Sequence, residues 1–249
     1  MGKAIRFILV FTCFLQISVY AQDSVAAKTI MTFFNGVRNA YAHSGNIGFN
    51  VNYVYSDEKY PEKIIDTLSG TYKINGSKYW FSLAQTETMK NDSLVIMIFH
   101  EDKMMYVRKA STLPGFDPVE QMQAFLKKAK TVRAKLTKGK SVDQLSITFP
   151  EGLDYKSVNI KTDRVTGYLV ESEYIIRTQL LTDQADDEAD ETKSGFSEYA
   201  RVRVNYSAYH QDTDSSCFDE SRFIIRRNNV ISTEEKYKDF KIVIGSSNL

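Results

Sequence analysis

The stretch "DTLSGTYKINGSKYWFSLAQ" (66–85) sets Asn75-Gly76 between two aromatic-rich runs. Asn-Gly suits a two-residue type I′ turn, in which both central positions need positive φ. That turn predicts a hairpin with Ile74 opposite Ser77, Tyr72 opposite Tyr79, Gly70 opposite Phe81 and Leu68 opposite Leu83. Side chains alternate along a strand, so these residues share one apolar face. The other face carries Lys73, Lys78, Thr71, Ser69 and Ser82, with Trp80 as the exception, and Gly70 is expected to leave room for the Phe81 ring. An apolar sheet face must be covered.

Two helical patterns offer the cover. "VAAKTIMTFFNGVRNAYA" (25–42) places Ala26, Ile30, Phe33, Val37 and Tyr41 at helical spacing, with Asp23 or Ser24 as a cap. "DPVEQMQAFLKKAK" (117–130) opens on Asp117 as cap and Pro118 in the first turn, with Glu120 completing an acidic variant of the capping box. Val119, Met122, Phe125 and Ala129 make its stripe. Most of the remaining chain alternates as short strands between turns, among them "IGFNVNYVYS", "SLVIMIF", "KMMYVRK", "YKSVNIK", "GYLVESEYIIR" and "EYARVRVNYSAY". The fold class expected is α+β, mostly β. It is a curved antiparallel sheet of about ten or eleven strands, an incomplete barrel, covered by the N-terminal helix and the internal one. Four prolines and no visible repeat give no reason to divide residues 22–249 into separate domains.

Residues 1–21 read as an export signal. Lys3 and Arg6 precede the apolar "FILVFTCFLQISV", and Val19 and Ala21 place small residues for cleavage before Gln22. Cys13 follows Thr12 in mid-run, which argues against lipidation. The mature chain is expected to be exported, periplasmic or secreted, and at most peripheral to a membrane. Loss of Lys3 and Arg6 takes the formal net charge from +1 to −1, so no basic field is left to attract nucleic acid. One cysteine, Cys217, remains, and no intramolecular disulfide can form.

Three stretches carry a family likeness: helix 25–42 leading into the strand at 48–56, "SGTYKINGSKYWF" (69–81) and "IKTDRVTGYLVESEY" (160–174). In this order they resemble the lipoprotein-carrier and LolB-like family of exported half-barrels. The second stretch is similar to that family's glycine-initiated hairpin and the third to its "D-x-x-TG" hairpin. The resemblance implies an incomplete barrel with helices in its open side and a lipid or lipoprotein partner. The acidic insert at 183–191 and the loop around Cys217 depart from the family pattern, and no site residue carries over.

Signals of covalent or metal chemistry are weak. "AKLTKGKS" (134–141) matches a permissive phosphate-loop pattern, but such a loop needs a helix starting at the Ser, and "SVDQLSITF" alternates as a strand. Six acids fall between Asp183 and Glu191 without the glycine that a calcium loop needs at its sharp turn, and they read as a solvated loop. His43, His100 and His210 show no zinc spacing. His210 and Cys217 admit a Cys-His pair only if the fold brings them together. No cofactor is implied, and the chain is expected not to be an enzyme.

The aromatic content is the remaining clue: fifteen Tyr, fifteen Phe and one Trp supply broad, stiff apolar walls. If the helices cover the sheet incompletely, an acyl chain fits between them against Phe33, Val37, Tyr72, Tyr79, Phe81, Met97 and Met105. If they cover it fully, Phe33, Phe34, Tyr72, Tyr79, Phe81 and Phe125 fill a dry core. The first case makes the protein a carrier or sensor of a lipid or acylated protein. The second makes it a structural or interaction protein of the envelope, docking a protein partner through sheet edges or the Trp80 face.

Overall fold

The computed structural model describes residues 25–110, 132–181, 197–211, 214–227 and 230–245. Residues 1–21, the internal helix at 117–130 and the acidic run at 183–191 lie outside them. Among the described residues there is one α-helix, α1 (Val25–His43), and fourteen strands. The α+β, mostly β class is present. Twelve strands form one open sheet, antiparallel but for its edge strand β14 on β6, and the sheet does not close into a barrel.

The strands in chain order are β1 (Asn46–Asp57), β2 (Ile64–Asn75), β3 (Lys78–Leu83), β4 (Thr86–Lys90), β5 (Leu94–Phe99), β6 (Met104–Lys109) and β7 (Arg133–Lys138). They continue as β8 (Val142–Thr148), β9 (Tyr155–Asp163), β10 (Leu169–Arg177), β11 (Tyr199–Gln211), β12 (Ile224–Arg227), β13 (Val230–Thr233) and β14 (Lys241–Ile244). The sheet order is β14-β6-β5-β4-β3-β2-β1-β11-β10-β9-β8-β7, and β12 and β13 pair separately. The count exceeds the ten or eleven expected, and two pairings in the sheet do not join sequence neighbours. β11 joins β10 to β1, and β14 returns parallel to β6.

The chain packs as two compact units, Met1–Val37 with Asn52–Thr67 and Pro118–Asn205, and Arg38–Val51 with Leu68–Asp117 and Tyr206–Leu249. In the first, register puts Leu145 opposite Ile160, Ile147 opposite Val158, and Tyr174 opposite both Val158 and Val202. These residues, of which Tyr174 is half-buried and the others buried, make one face with the buried Ser172 and Val204. The alternate positions form a polar ladder, with Lys161 Nζ 2.8 Å from Glu171 Oε1 and Arg203 Nη2 3.2 Å from Glu173 Oε2. The β9–β10 turn is the "D-x-x-TG" stretch. Asp163 Oδ1 accepts from the backbone N–H of Val165 and Thr166 and from the Thr166 hydroxyl, and Gly167 takes φ 75°. Those hydrogen bonds hold the Asp163 carboxyl below the usual carboxylate range.

Asp57, buried at the end of β1, performs a similar service. Burial pushes its carboxyl pKa up, but N–H and hydroxyl donation from Ser197, at 2.7 and 2.8 Å, prevails together with N–H donation from Tyr60 and Lys59. The net position is below the usual carboxylate range. The phosphate-loop pattern resolves as a hairpin turn. Gly139 N–H donates to Val142 C=O at 3.0 Å, a Cβ at Gly139 would lie 2.4 Å from that oxygen, and β8 starts where a helix would be needed.

In the second unit both sheet faces are apolar. One carries Met89, Ile96, Ile98, Met105 and Val107 under Phe223, Ile224 and Tyr237, with Trp80 and Ile242 packed alongside. The cover is the C-terminal segment: 3₁₀ turns at Ser216–Phe218, Glu220–Arg222 and Glu235–Tyr237, the β12–β13 hairpin, and β14. Trp80, the exception on its face, therefore packs half-buried against a covered core. Its indole N–H donates to Oε1 of the buried Glu87 at 2.7 Å, and Oε2 of that carboxylate lies 3.4 Å from the Tyr237 hydroxyl and 3.5 Å from His100 Nε2.

Candidate functional site

The other face of the second unit is built from the 66–85 hairpin outward. Its turn falls one residue later than Asn75-Gly76 implies. Asn75 pairs with Lys78, and only Gly76, the first central residue, has positive φ, at 59°. That fits the type II′ pattern rather than I′. The true pairs are Ile74 with Tyr79, Tyr72 with Phe81 and Gly70 with Leu83. The slip moves each partner by two positions, so every side chain keeps its expected face. Gly70 answers a backbone approach, not the Phe81 ring, since a Cβ there would lie 2.3 Å from the Ser82 carbonyl oxygen.

Register across β2 to β6 sorts this face into three rows. The middle row reads Tyr72, Phe81, Thr88, Met97, Tyr106. One flanking row reads Ile74, Tyr79, Lys90, Val95, Arg108, and the other Gly70, Leu83, Thr86, Phe99, Met104. Within and between the rows the rings stack. Tyr72 and Phe81 are 4.9 Å apart at 17°, Tyr79 and Phe81 6.2 Å at 20°, and Phe49 from β1 continues the stack to Tyr72 at 5.5 Å and 10°. Offset and edge contacts of this kind contribute about 0.5–1.5 kcal/mol each beyond burial.

Phe49 is also the centre of a second set of rings. Tyr209 stacks on it at 5.0 Å, Tyr206 lies at 6.3 Å, and Tyr41 of α1 meets it edge-on at 5.9 Å. Strict alternation along β11 would send Tyr206 and Tyr209 to opposite faces. Ala208, at φ 54° inside the strand, shifts the phase by one residue, as a β-bulge does, and brings both rings to Phe49. The Tyr41 and Tyr209 hydroxyls then meet at 2.6 Å, tying the end of α1 to β11.

Away from this stack the face opens. Tyr72, Phe81 and Phe49 are buried, whereas Met97, Phe99 and Met104 are half-buried and Tyr106 is 36% exposed. Phe99 and Tyr106 meet edge-on at 5.9 Å. Burial pushes the Tyr79 hydroxyl pKa up, and the positive charge of Arg108 pulls it part of the way back.

Of the residues expected to line a cavity, Tyr72, Tyr79, Phe81 and Met97 share this face. Phe33 and Val37 are buried on α1 within the first unit. Met105 does not join them. Register pairs Met97 with Tyr106, so Met105 points to the opposite face and is fully buried beside Phe223 and Tyr237. Sequence reasoning missed Phe49, Tyr106, Phe99 and Met104. The turn that pairs Phe99 with Met104 is the signal that places the last three. Tyr206 and Tyr209 carry no such signal, because alanine does not announce a bulge.

The Cys-His pair does not form, because each partner has other neighbours. His210 is exposed, with Nδ1 2.9 Å from the Ala208 carbonyl and its ring over Gly48, where a Cβ would come within 2.6 Å. Cys217 is buried with its thiol 3.8 Å from the Asp214 carbonyl. Among the described residues, no group of three or more His, Cys, Asp or Glu is placed to hold a metal ion, and no helix is long and apolar enough to cross a membrane.

No protein-family model and no curated protein matches the sequence. Solved structures do. An uncharacterized conserved protein from Thermus thermophilus is 7% identical with a TM-score of 0.47, covering 87% of this chain and 99% of its own. A LolA superfamily protein from Nitrosomonas europaea is 10% identical with a TM-score of 0.33, covering 79% and 98%. The Pseudomonas aeruginosa MucA/MucB complex is 13% identical with a TM-score of 0.38, covering 72% and 58%. The likeness transfers no ligand, partner or activity.

Proposed function

We propose that this chain is an exported, non-enzymatic carrier or sensor that binds the acyl chain of a lipid or acylated protein on the aromatic face of its second unit. The observation that supports this reading is the continuity of apolar surface from the buried Tyr72–Phe81 stack to the half-open strip of Met97, Phe99, Met104 and Tyr106. Burying a methylene there is worth about 0.8 kcal/mol, so a long chain supplies ample affinity without covalent chemistry. The middle row spans four strand spacings, about 19 Å, which suits an extended membrane acyl chain. The envelope-interaction reading would use sheet edges or the Trp80 face, and Trp80 is half-buried against the covered core.

Native mass spectrometry of the purified protein, with thermal melts in added fatty acid, tests the proposal. We expect a co-purified lipid, or a melting temperature that rises with ligand concentration as mass action requires. Bare protein together with an unmoved melt overturns it.

A further inference from the structure

The flanking row that carries Tyr79 places two cations on a face that is otherwise apolar but for Thr86 and Thr88. Lys90 and Arg108 sit on either side of Val95, which is fully buried, and both side chains are half-buried. Lys90 Nζ donates to the Ser77 carbonyl at 3.3 Å and lies 5.8 Å from the centre of the Tyr79 ring. The positive charge of Arg108 bears on the same Tyr79 hydroxyl. The acid Asp92 is exposed and bridged to Lys78 at 3.1 Å, and Lys90 adds a weaker charge interaction to it. Lys90 and Arg108 stand two strand spacings apart, about 10 Å, along one border of the aromatic strip. An apolar strip bordered by fixed positive charge is complementary to an amphiphile with an anionic end, whose oxygens accept charge-assisted hydrogen bonds.

We propose that Lys90 and Arg108 receive the anionic head group of a single-chain acyl lipid whose tail lies along Phe81, Met97 and Tyr106. The inference rests on the acyl-binding reading above and adds to it the polarity and orientation of the ligand. The chain is laid across the strands, and its charged end is turned toward the Tyr79 row. The site selects an anionic amphiphile over a neutral one of equal length.

The test compares oleate with oleyl alcohol, each below its aggregation threshold, by titration calorimetry on the full mature chain. Wild type is expected to bind oleate at least tenfold more tightly, with the difference shrinking as salt screens the half-exposed cations. In the double variant Lys90→Gln/Arg108→Gln the preference is expected to vanish while oleyl alcohol binds as before, which also certifies the fold. The charge-keeping pair Lys90→Arg/Arg108→Lys is expected to retain it. Equal affinity of wild type for the two ligands, or a preference that survives the double glutamine variant, overturns the head-group assignment and leaves acyl binding standing. If neither ligand binds wild type, acyl binding itself falls, and this assignment with it.

Discussion

Strands β8–β10 and strands β3–β6 lie in the same sheet and solve opposite problems. In β8–β10, Leu145, Ile147, Val158 and Ile160 are buried on one face while Lys161, Glu171 and Glu173 make an ionic ladder on the other. In β3–β6 both faces are apolar, one stacked with rings and the other roofed by the chain's own C-terminal segment. The text of the strands reflects this. "YKSVNIK" alternates, whereas "LVIMIF" is a continuous apolar run, the signature of a strand apolar on both faces. The lesson is that a run without alternation in an antiparallel sheet calls for a second cover elsewhere in the chain.

The sharpest way to break the comparison is to remove the roof. Phe223 is fully buried against the β4–β6 face, so Phe223→Ala is expected to cost about 3–5 kcal/mol in urea unfolding. A cost below about 1 kcal/mol would mean the C-terminal segment is not part of the core. Next comes Asp57 in the first unit, where Asp57→Ala strips the Ser197, Lys59 and Tyr60 donors of their acceptor. The expected loss is about 2–3 kcal/mol at neutral pH. Because the folded carboxyl pKa is lowered, its contribution is complete above the unfolded value of about 3.9 and is lost as pH falls below it toward the folded value. The wild-type stability curve should therefore drop below about pH 4, and the variant's should drop less.

A smaller effect sharpens the bulge. Ala208 holds a left-handed φ of 54°, which glycine adopts without strain, so Ala208→Gly is expected to stabilise by about 0.5–1 kcal/mol and to preserve the Tyr41–Tyr209 contact. Destabilisation would argue against the bulge. Smallest of all is the outer ladder, where Glu173→Gln is expected to change stability by less than about 1 kcal/mol, and less still in high salt.

These contrasts also mark what could be read from the residues alone. The greasy face of the 66–85 hairpin was legible because a slip of the turn by one residue changes partners by two and leaves sides unchanged. The "D-x-x-TG" turn was legible because Asp and Gly there have distinct backbone roles. Met105 was misplaced because it follows Met104 directly, and only the register of the preceding turn decides which of the two faces the rings. Trp80 stood as an exception on its face because the buried cluster it packs against draws on residues far along the chain, which local alternation cannot foresee. The Ala208 bulge left no trace in residue type.

The most direct test of the account uses a fatty acid carrying a photoreactive diazirine in its tail, irradiated with the purified protein and mapped by peptide mass spectrometry. Labels concentrated on Tyr72, Tyr79, Phe81, Met97 and Tyr106 are the predicted result. Labels on the opposite face, at Trp80, Met105, Phe223 or Tyr237, or no saturable labelling at all, would contradict it.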